Sequence, residues 1–324
     1  MFMNRSNSRL FRDLASAGNG ADGCVVCIGA FDGLHLGHRA LVERAVASAH
    51  MRGCASVALS FEPLPREFFA ERVRPLRLSP PRAKVEGLQA LGIDRVGLLR
   101  FDAAMAAMEA HDFIADVLVA TLRAREVWVG PDFAFGRGRG GDLAMLEREG
   151  ARHGFAARTI SPLLVDGERV SSSGIRRLLA AGELDAAARR LGRRYRHGGR
   201  VGHGRQLGRR LGFPTANLRF GRFAPALGGI FATRVHGAGF DGWPSVSSLG
   251  TRPTVDGAEP LLEAHLFDFD GDLYGRRIEV EFVGKLRDEL RFDDLDALTA
   301  QMHLDARQAR DLLGGNERRS GVMA

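Results

Sequence analysis

The sequence predicts a chain in two parts: a parallel, doubly wound α/β sheet of Rossmann type, then a small antiparallel β-barrel closed by a C-terminal helix. Three observations carry this. From residue 23 to about 160, short apolar runs alternate with amphipathic helical stretches, the pattern of a parallel sheet with crossover helices. Near residue 187 the texture changes to short, evenly spaced strand-like runs separated by Gly, Pro and Asp clusters. A single helical stretch then ends the chain. The boundaries read from these changes are a disordered or frayed lead-in over 1–21, one domain over 22–187 and a second over 188–324.

In the first part, Cys24 to Ile28 has the length and branching of a buried parallel strand, and four more candidates follow at Ser56 to Phe61, Arg95 to Leu99, Glu126 to Val129 and Phe155 to Ile160. Helical stretches separate them: Arg39 to His50; one opened by Ser79-Pro80-Pro81 and running to Leu91; His111 to Leu122; and Asp142 to His153. Ile175 to Ala180 and Leu184 to Leu191 read as further helices, the second a link to the basic run ending at Arg200. The second part offers strands at Thr215 to Leu218, Ile230 to Val235, Pro244 to Ser248, Leu261 to Phe267 and Arg277 to Phe282. Asp293 to Leu313 reads as the last helix, opened by Asp293 and Asp294 and stopped by Gly314-Gly315.

Composition narrows the class. The 324 residues are 45% hydrophobic and 26% charged, an ordinary globular balance. No apolar run approaches the roughly 18 residues that span a membrane, and the polar, Arg-containing start lacks the apolar core of a secretory signal, so the expected location is cytoplasmic, with no membrane partner. Cys24 and Cys27, three apart on a strand, point to opposite faces and read as core residues, with Cys54 the third cysteine. The net charge of +7 permits nucleic-acid contact, with Gly136 to Gly140 and Arg189 to Arg200 as the basic runs. Without interleaved aromatics other than Tyr195, those runs read better as solvated faces, and no nucleic-acid partner is expected.

The stretch from Cys24 to His38 organises the first part. The strand runs into Gly29-Ala30-Phe31-Asp32-Gly33, then His35, Gly37 and His38 open a helix. A helix start offers free N–H groups to a phosphate, Gly37 leaves room for close approach, and both imidazoles can donate to phosphate oxygens. A plain strand–loop–helix unit with two solvated histidines is the competing reading. Two further loops fall on the same sheet edge: Gly130 to Gly136, and Ser171-Ser172-Ser173-Gly174-Ile175-Arg176. Serines there are ordinary helix caps, but with Arg176 one turn inside they also converge on an anion. In the second part, Gly202 to Asn217 is dense in glycine and arginine and enters a strand through Pro-Thr-Ala-Asn. It reads either as a flexible hairpin or as a phosphate wrap in which Thr215 and Asn217 offer neutral oxygens to Mg²⁺. If Leu262, Ala264 and Leu266 share one strand face, Glu263 and His265 share the other, where Glu263 is either solvated or a general base.

Phe-Asp-Gly followed by His-x-Gly-His resembles the HxGH motif of the nucleotidyltransferase superfamily. The loops GPDFAFG and SSSGIR resemble the partner motifs of its flavin-adenylating branch, with Ser173 where that branch usually has Thr. Leu64 stands where many of those enzymes carry His before Pro. GFPTAN at Gly212 to Asn217, Gly250-Thr251-Arg252-Pro253-Thr254 and Glu263 before HLFDFDGDLYG resemble riboflavin kinase, with Ser248 where relatives often have Asn. Together the halves resemble the bacterial bifunctional riboflavin kinase/FMN adenylyltransferase family over about residues 22 to 312. The resemblance implies ATP, riboflavin and FMN as substrates and Mg²⁺ as the metal. It implies catalytic roles for Glu263, His35, His38 and Arg176. It implies ATP or phosphate contacts from Gly29, Phe31, Asp32, Gly37, Ser171, Ser172, Gly202, Gly204, Gly208, Gly212, Thr215 and Asn217, with Mg²⁺ on Thr215 and Asn217. Asp132, Phe133, Phe135 and Gly136 would meet the flavin. An adenylyltransferase for another phosphate with a vestigial second domain, and a basic nucleic-acid-binding protein, are the alternatives.

Overall fold

The computed structural model describes residues 9–17, 23–70, 76–204, 207–221, 223–254 and 257–320. They fall into two compact units, one within Met1–Pro75 and Ser79–Ser172, the other within Leu76–Leu78 and Ser173–Ala324.

The first unit is built on six parallel strands: β1 (Leu10–Phe11), β2 (Cys24–Ile28), β3 (Ala55–Glu62), β4 (Arg95–Arg100), β5 (Ala124–Val129) and β6 (Ala156–Thr159), in the order β1-β4-β3-β2-β5-β6. The chain moves outward from β2 through β3 to β4, then returns to β5 on the other side of β2. That reversal opens a crevice at the carboxyl ends of β2 and β5, the place where such sheets bind ligands. Strand β2 is buried throughout, and its side chains feed two cores: Cys24, Val26 and Ile28 join the cluster on one face, Val25 and Cys27 that on the other. Burial pushes both thiols up to about 12, so the two cysteines pack as apolar side chains.

Two expectations are corrected in this unit, the frayed lead-in and the capping serine, and two elements take a local geometry that the sequence did not specify. The lead-in is ordered where described: Leu10 and Phe11 pair with Val96 and Gly97, and the buried Phe11 ring lies where a methyl on Gly97 would fall, 2.5 Å away. The glycine turn after β2 bends at Phe31 (φ 48) and Leu34 (φ 43) as well as Gly33. Ser79 does not cap the helix Pro81–Ala90; its hydroxyl accepts from the Gly33 N–H at 3.0 Å. The helix predicted over 111–122 is π-helical from Phe113 to Thr121, which turns Phe113, Ile114, Val117 and Leu118 into the core together. Residues 1–8 and 18–22 lie outside the described residues.

After β6 the chain makes a short antiparallel pair, β7 (Leu164–Val165) and β8 (Glu168–Arg169). The second unit carries six antiparallel strands: β9 (Arg196–Arg200), β10 (Ala216–Arg219), β11 (Gly229–Gly237), β12 (Phe240–Thr254), β13 (Gly257–Leu266) and β14 (Arg277–Arg287), in the order β10-β13-β12-β11-β14-β9. Just beyond β9, the Gly202 N–H donates to the Asn217 carbonyl at 2.9 Å, which brings the two edge strands together and nearly closes a barrel. The helix Leu295–Ser320 lays Ala306, Ala309 and Leu313 on Ala232, Val246 and Val283. Asp294 caps it through the Ala297 N–H at 2.7 Å, as expected. It does not stop at Gly314-Gly315, since glycine inside a helix costs only about 1 kcal/mol.

The basic run 189–200 keeps Arg189, Arg193, Arg196 and Arg200 exposed, as expected, and buries Arg190. It ends in β9, where Arg196 pairs with Glu281 of β14. The helix Ser172–Ala180 from Ser173 onward and the helix Leu184–Leu191 count with this unit, as does Leu76–Leu78, whose Arg77 N–H donates to the Ala224 carbonyl at 3.0 Å. The compact units therefore part ahead of the texture change near residue 187.

Strand β9 also carries a buried histidine. His197 stacks on Phe220 with ring centroids 3.8 Å apart, and burial pushes its pKa down to about 4. The folded state thus favours the neutral ring, while the unfolded chain titrates near 6.5. The stability from this group is complete above about pH 6.5 and is lost as pH falls toward 4, by about 1.4 kcal/mol per pH unit. Acid titration of the unfolding midpoint should show this slope, and His197→Leu should flatten it between pH 6.5 and 4.

Candidate active sites

At the carboxyl end of β2, His35 caps the helix Leu36–Arg52: its Nδ1 accepts the His38 backbone N–H at 3.2 Å. An imidazole accepting at Nδ1 carries its proton on Nε2 when neutral, so Nε2 is the donor nitrogen of this ring. The His35 and His38 rings stack with centroids 3.6 Å apart, and Phe31 meets His38 edge-on at 5.4 Å. A methyl on Gly37 would touch the His35 ring at 3.4 Å, an ordinary contact. The fold does not demand glycine there, and the bare backbone leaves room for a bound group.

Asp32 is buried and its carboxylate is already engaged. It accepts from the Ser79 backbone N–H at 3.1 Å and pairs with Arg66 at 2.7 Å. Its carbonyl accepts the Ser172 hydroxyl at 3.0 Å, which joins the serine loop to the turn. Asp32 therefore fixes the turn through carboxylate and carbonyl alike. Gly29 continues the β2–β3 ladder by donating to the Leu59 carbonyl at 3.1 Å. Ser171 is half-buried beside Ser172, and the buried Arg176 counts with the second unit. Leu64 is buried at the start of a short helix.

After β5, Phe135 is buried against Phe113 and Phe133, with ring centroids 5.5 and 5.4 Å away. Gly136 (φ 74) leaves space for the Ala110 backbone, which a methyl would approach to 2.5 Å. Asp132 is exposed and pairs with Arg169. Of the four expected flavin contacts, Phe135 and Gly136 are thus committed to packing.

In the second unit, a cleft of about 960 Å³ lies against the sheet. Register explains which side chains face it. Asn217 of β10 pairs with Glu263 of β13, which pairs with Ser248 of β12, and Ile230 and Arg287 continue the row on β11 and β14. All five line the cleft, as do Thr215 and His265. Leu262, Ala264 and Leu266 are buried on the opposite face, so the alternation expected from the sequence is met. Burial holds the His265 imidazole below its ordinary value against its bond to the Pro214 carbonyl. Asn217 donates to the Thr215 carbonyl at 3.1 Å, while its Oδ1 is buried with no hydrogen-bond partner.

The glycine loop packs as much as it wraps. A methyl on Gly204 would meet the Asn217 amide at 2.6 Å, and one on Gly208 the Phe213 carbonyl at 2.3 Å. Gly202 and Gly212 have open space. Arg205 and Gln206 lie outside the described residues. The sequence reading missed Arg287, which grips Asp305 of the last helix through two bonds of 2.9 and 2.7 Å and holds the cleft wall. It also missed Arg66, Ser79 and Lys84 around the first turn.

A doubly wound sheet with a phosphate-suited helix start, joined to a near-barrel whose cleft sets a carboxylate beside a buried amide oxygen, defines a two-centred enzyme acting on phosphorylated nucleotides. The FAD synthetase family model matches residues 19–174 and the riboflavin kinase model residues 191–313. The chain is 42% identical to the bifunctional riboflavin kinase/FMN adenylyltransferase of Escherichia coli K12, over 90% of this chain and 94% of that one. The Pseudomonas fluorescens enzyme of that name is 43% identical, over 90% and 93%, and the Haemophilus influenzae one 38%, over 93% and 98%. This chain belongs to the bifunctional riboflavin kinase/FMN adenylyltransferase family. A solved structure titled as a macrolide-efflux protein from Streptococcus pneumoniae covers 93% of this chain and 98% of its own at TM-score 0.78 and 26% identity. Among the described residues no helix is long and apolar enough to cross a membrane.

Proposed function

We propose that the chain makes FAD in two steps, each in its own half: 188–324 phosphorylates riboflavin to FMN, and 22–187 adenylylates FMN with release of pyrophosphate. The family and its two domain matches support the pair of reactions, and the row Asn217–Glu263–Ser248 across one wall of the cleft is the observation that carries the residue roles.

In the kinase half, Glu263 takes the proton of the ribityl 5′-hydroxyl. The freed oxygen forms a bond to the γ-phosphorus of ATP, and the bond to ADP breaks. The donor set suits Mg²⁺: Asn217 Oδ1 is a neutral oxygen, buried and without a hydrogen-bond partner, and the Thr215 hydroxyl accepts from the Nδ2 of the same amide at 3.4 Å. Bound there, Mg²⁺ would neutralise charge on the phosphate oxygens of ATP. Thr215 and Asn217 would hold it, and Gly202, Gly204, Gly208 and Gly212 would shape the loop over ATP.

In the other half, an FMN phosphate oxygen bonds to the α-phosphorus of a second ATP and pyrophosphate leaves. The nucleophile is already anionic, so the half needs charge stabilisation rather than a base. His35 and His38 supply donors, and the resemblance gives Arg176 a role of the same kind. Gly29, Phe31, Gly37, Ser171 and Ser172 line the phosphate path, with Asp32 holding the turn. Asp132 and Phe133 remain the candidate flavin contacts, with Phe135 and Gly136 packed behind them. The location is cytoplasmic, in keeping with three free cysteines, and the basic surface has no nucleic-acid partner.

Incubating the chain with riboflavin, Mg²⁺ and excess ATP should give FMN and then FAD by liquid chromatography, with ADP and pyrophosphate in step. FMN as the final product would confine the chain to its kinase half, and unchanged riboflavin would defeat the reading.

A further inference from the structure

We propose that Lys84 is a positioning residue for adenylyl transfer, acting through Ser60 to aim the Phe31 backbone N–H at a phosphate of ATP. Lys84 sits in the helix Pro81–Ala90 and is fully buried, as is Ser60 near the end of β3. The Lys84 Nζ donates to the Ser60 hydroxyl at 3.1 Å, and that hydroxyl donates to the Ala30 carbonyl at 3.2 Å. The direction of this relay is fixed, because an ammonium only donates and a hydroxyl has one proton to pass on.

The relay begins where the sheet ladder runs out. Main-chain pairing of β2 with β3 ends at Ile28 opposite Leu59, and the Gly29 N–H takes the Leu59 carbonyl. One residue on, the Ser60 side chain replaces the missing ladder bond at Ala30. In a trans peptide the carbonyl of one residue and the N–H of the next point opposite ways. Anchoring the Ala30 carbonyl on Ser60 therefore turns the Phe31 N–H away from β3. Phe31 is fully buried and holds a left-handed backbone (φ 48), and no hydrogen bond from its N–H is found among the described residues. Buried amides are seldom left without an acceptor, and a left-handed non-glycine residue persists only where its surroundings impose it. A phosphate oxygen supplies the acceptor, and the relay supplies the constraint.

This inference rests on the turn being the ATP site, so the test includes a variant that addresses the turn itself. Ser60→Ala, Lys84→Met and their combination are made in the full chain, with riboflavin phosphorylation measured in the same preparation. Each single change should raise the KM for ATP in FAD formation about tenfold, as expected for one lost buried hydrogen bond, with kinase turnover held within about twofold. The double variant should resemble the singles, because both act on one relay, and Lys84→Arg should recover part of the loss. Unchanged KM in Ser60→Ala, or additive losses in the double variant, would overturn the relay. If Lys84→Met does not fold, Ser60→Ala decides alone. FAD formation that survives His35→Ala/His38→Ala would defeat the reading of the turn. Loss there with wild-type kinetics in Ser60→Ala would defeat the relay only.

Discussion

Glu263→Gln should lower riboflavin phosphorylation by roughly 10²–10⁴-fold, the range for loss of a positioned general base, while FAD formation from supplied FMN stays at the parent rate. Glutamine keeps the size of the side chain and an acceptor oxygen but takes no proton at neutral pH. The register argues that the substitution is felt at the reaction and not in the fold. Glu263 faces the cleft between Asn217 and Ser248, whereas the residues that build the core from the same strand, Leu262 and Ala264, point the other way. ADP release in the presence of riboflavin, with ATP binding followed separately by calorimetry, measures the effect. Near-normal turnover would make Glu263 a wall of the cleft and leave the proton to another group.

That row across β10, β13 and β12 was partly legible beforehand. Alternation of apolar and polar residues from Leu261 to Phe267 places Glu263 and His265 on one face without any structure. Strand β2 was legible to the residue, because a run buried on both faces reads as an uninterrupted apolar stretch. What escaped depends on where hydrogen bonds go once elements meet. Ser79 before two prolines has the look of a cap, yet its hydroxyl is taken by Gly33. Lys84 sits on the same helix face as Val85 and Leu88, all buried, so the periodicity held a signal that the lysine side chain disguised. Ser248 and Arg287 became site residues only through pairing between strands distant in sequence.

The division between the halves shows the same limit. Composition changes near residue 187, where helices give way to short strands, and it tracks local structure. Packing follows different lines. The helix Leu184–Leu191 contributes Leu184, Ala187 and Leu191 to the buried set, and Arg194 just after it donates to the Val283 carbonyl of β14 at 3.0 Å. Leu76–Leu78 joins the barrel unit from far upstream, and no local pattern announces a three-residue loan to another unit. The turn proposed to hold phosphate was legible because its motif is continuous in sequence, whereas its supports, Arg66, Ser79 and Lys84, are spread over the next fifty or so residues, a spacing no short motif can register.

His35→Ala/His38→Ala should abolish FAD formation from FMN, with a loss of at least about 10²–10³-fold, the scale set by removing one donor to charge developing in a transition state. Riboflavin phosphorylation by the same chain should not change. The stacked rings, 3.6 Å apart, act at one place, so the double variant removes a paired donor rather than two separate contacts. His35 also caps the helix Leu36–Arg52, and losing a cap costs about 1 kcal/mol. His35→Asn presents a side-chain oxygen to the His38 N–H and should restore the melting temperature. It lacks the imidazole Nε2–H and should leave adenylyl transfer low. Recovery of stability without recovery of FAD output separates the cap from the chemistry. Recovery of both would reduce His35 to a cap, and wild-type FAD output from the double alanine variant would move the adenylyl-transfer site away from this turn.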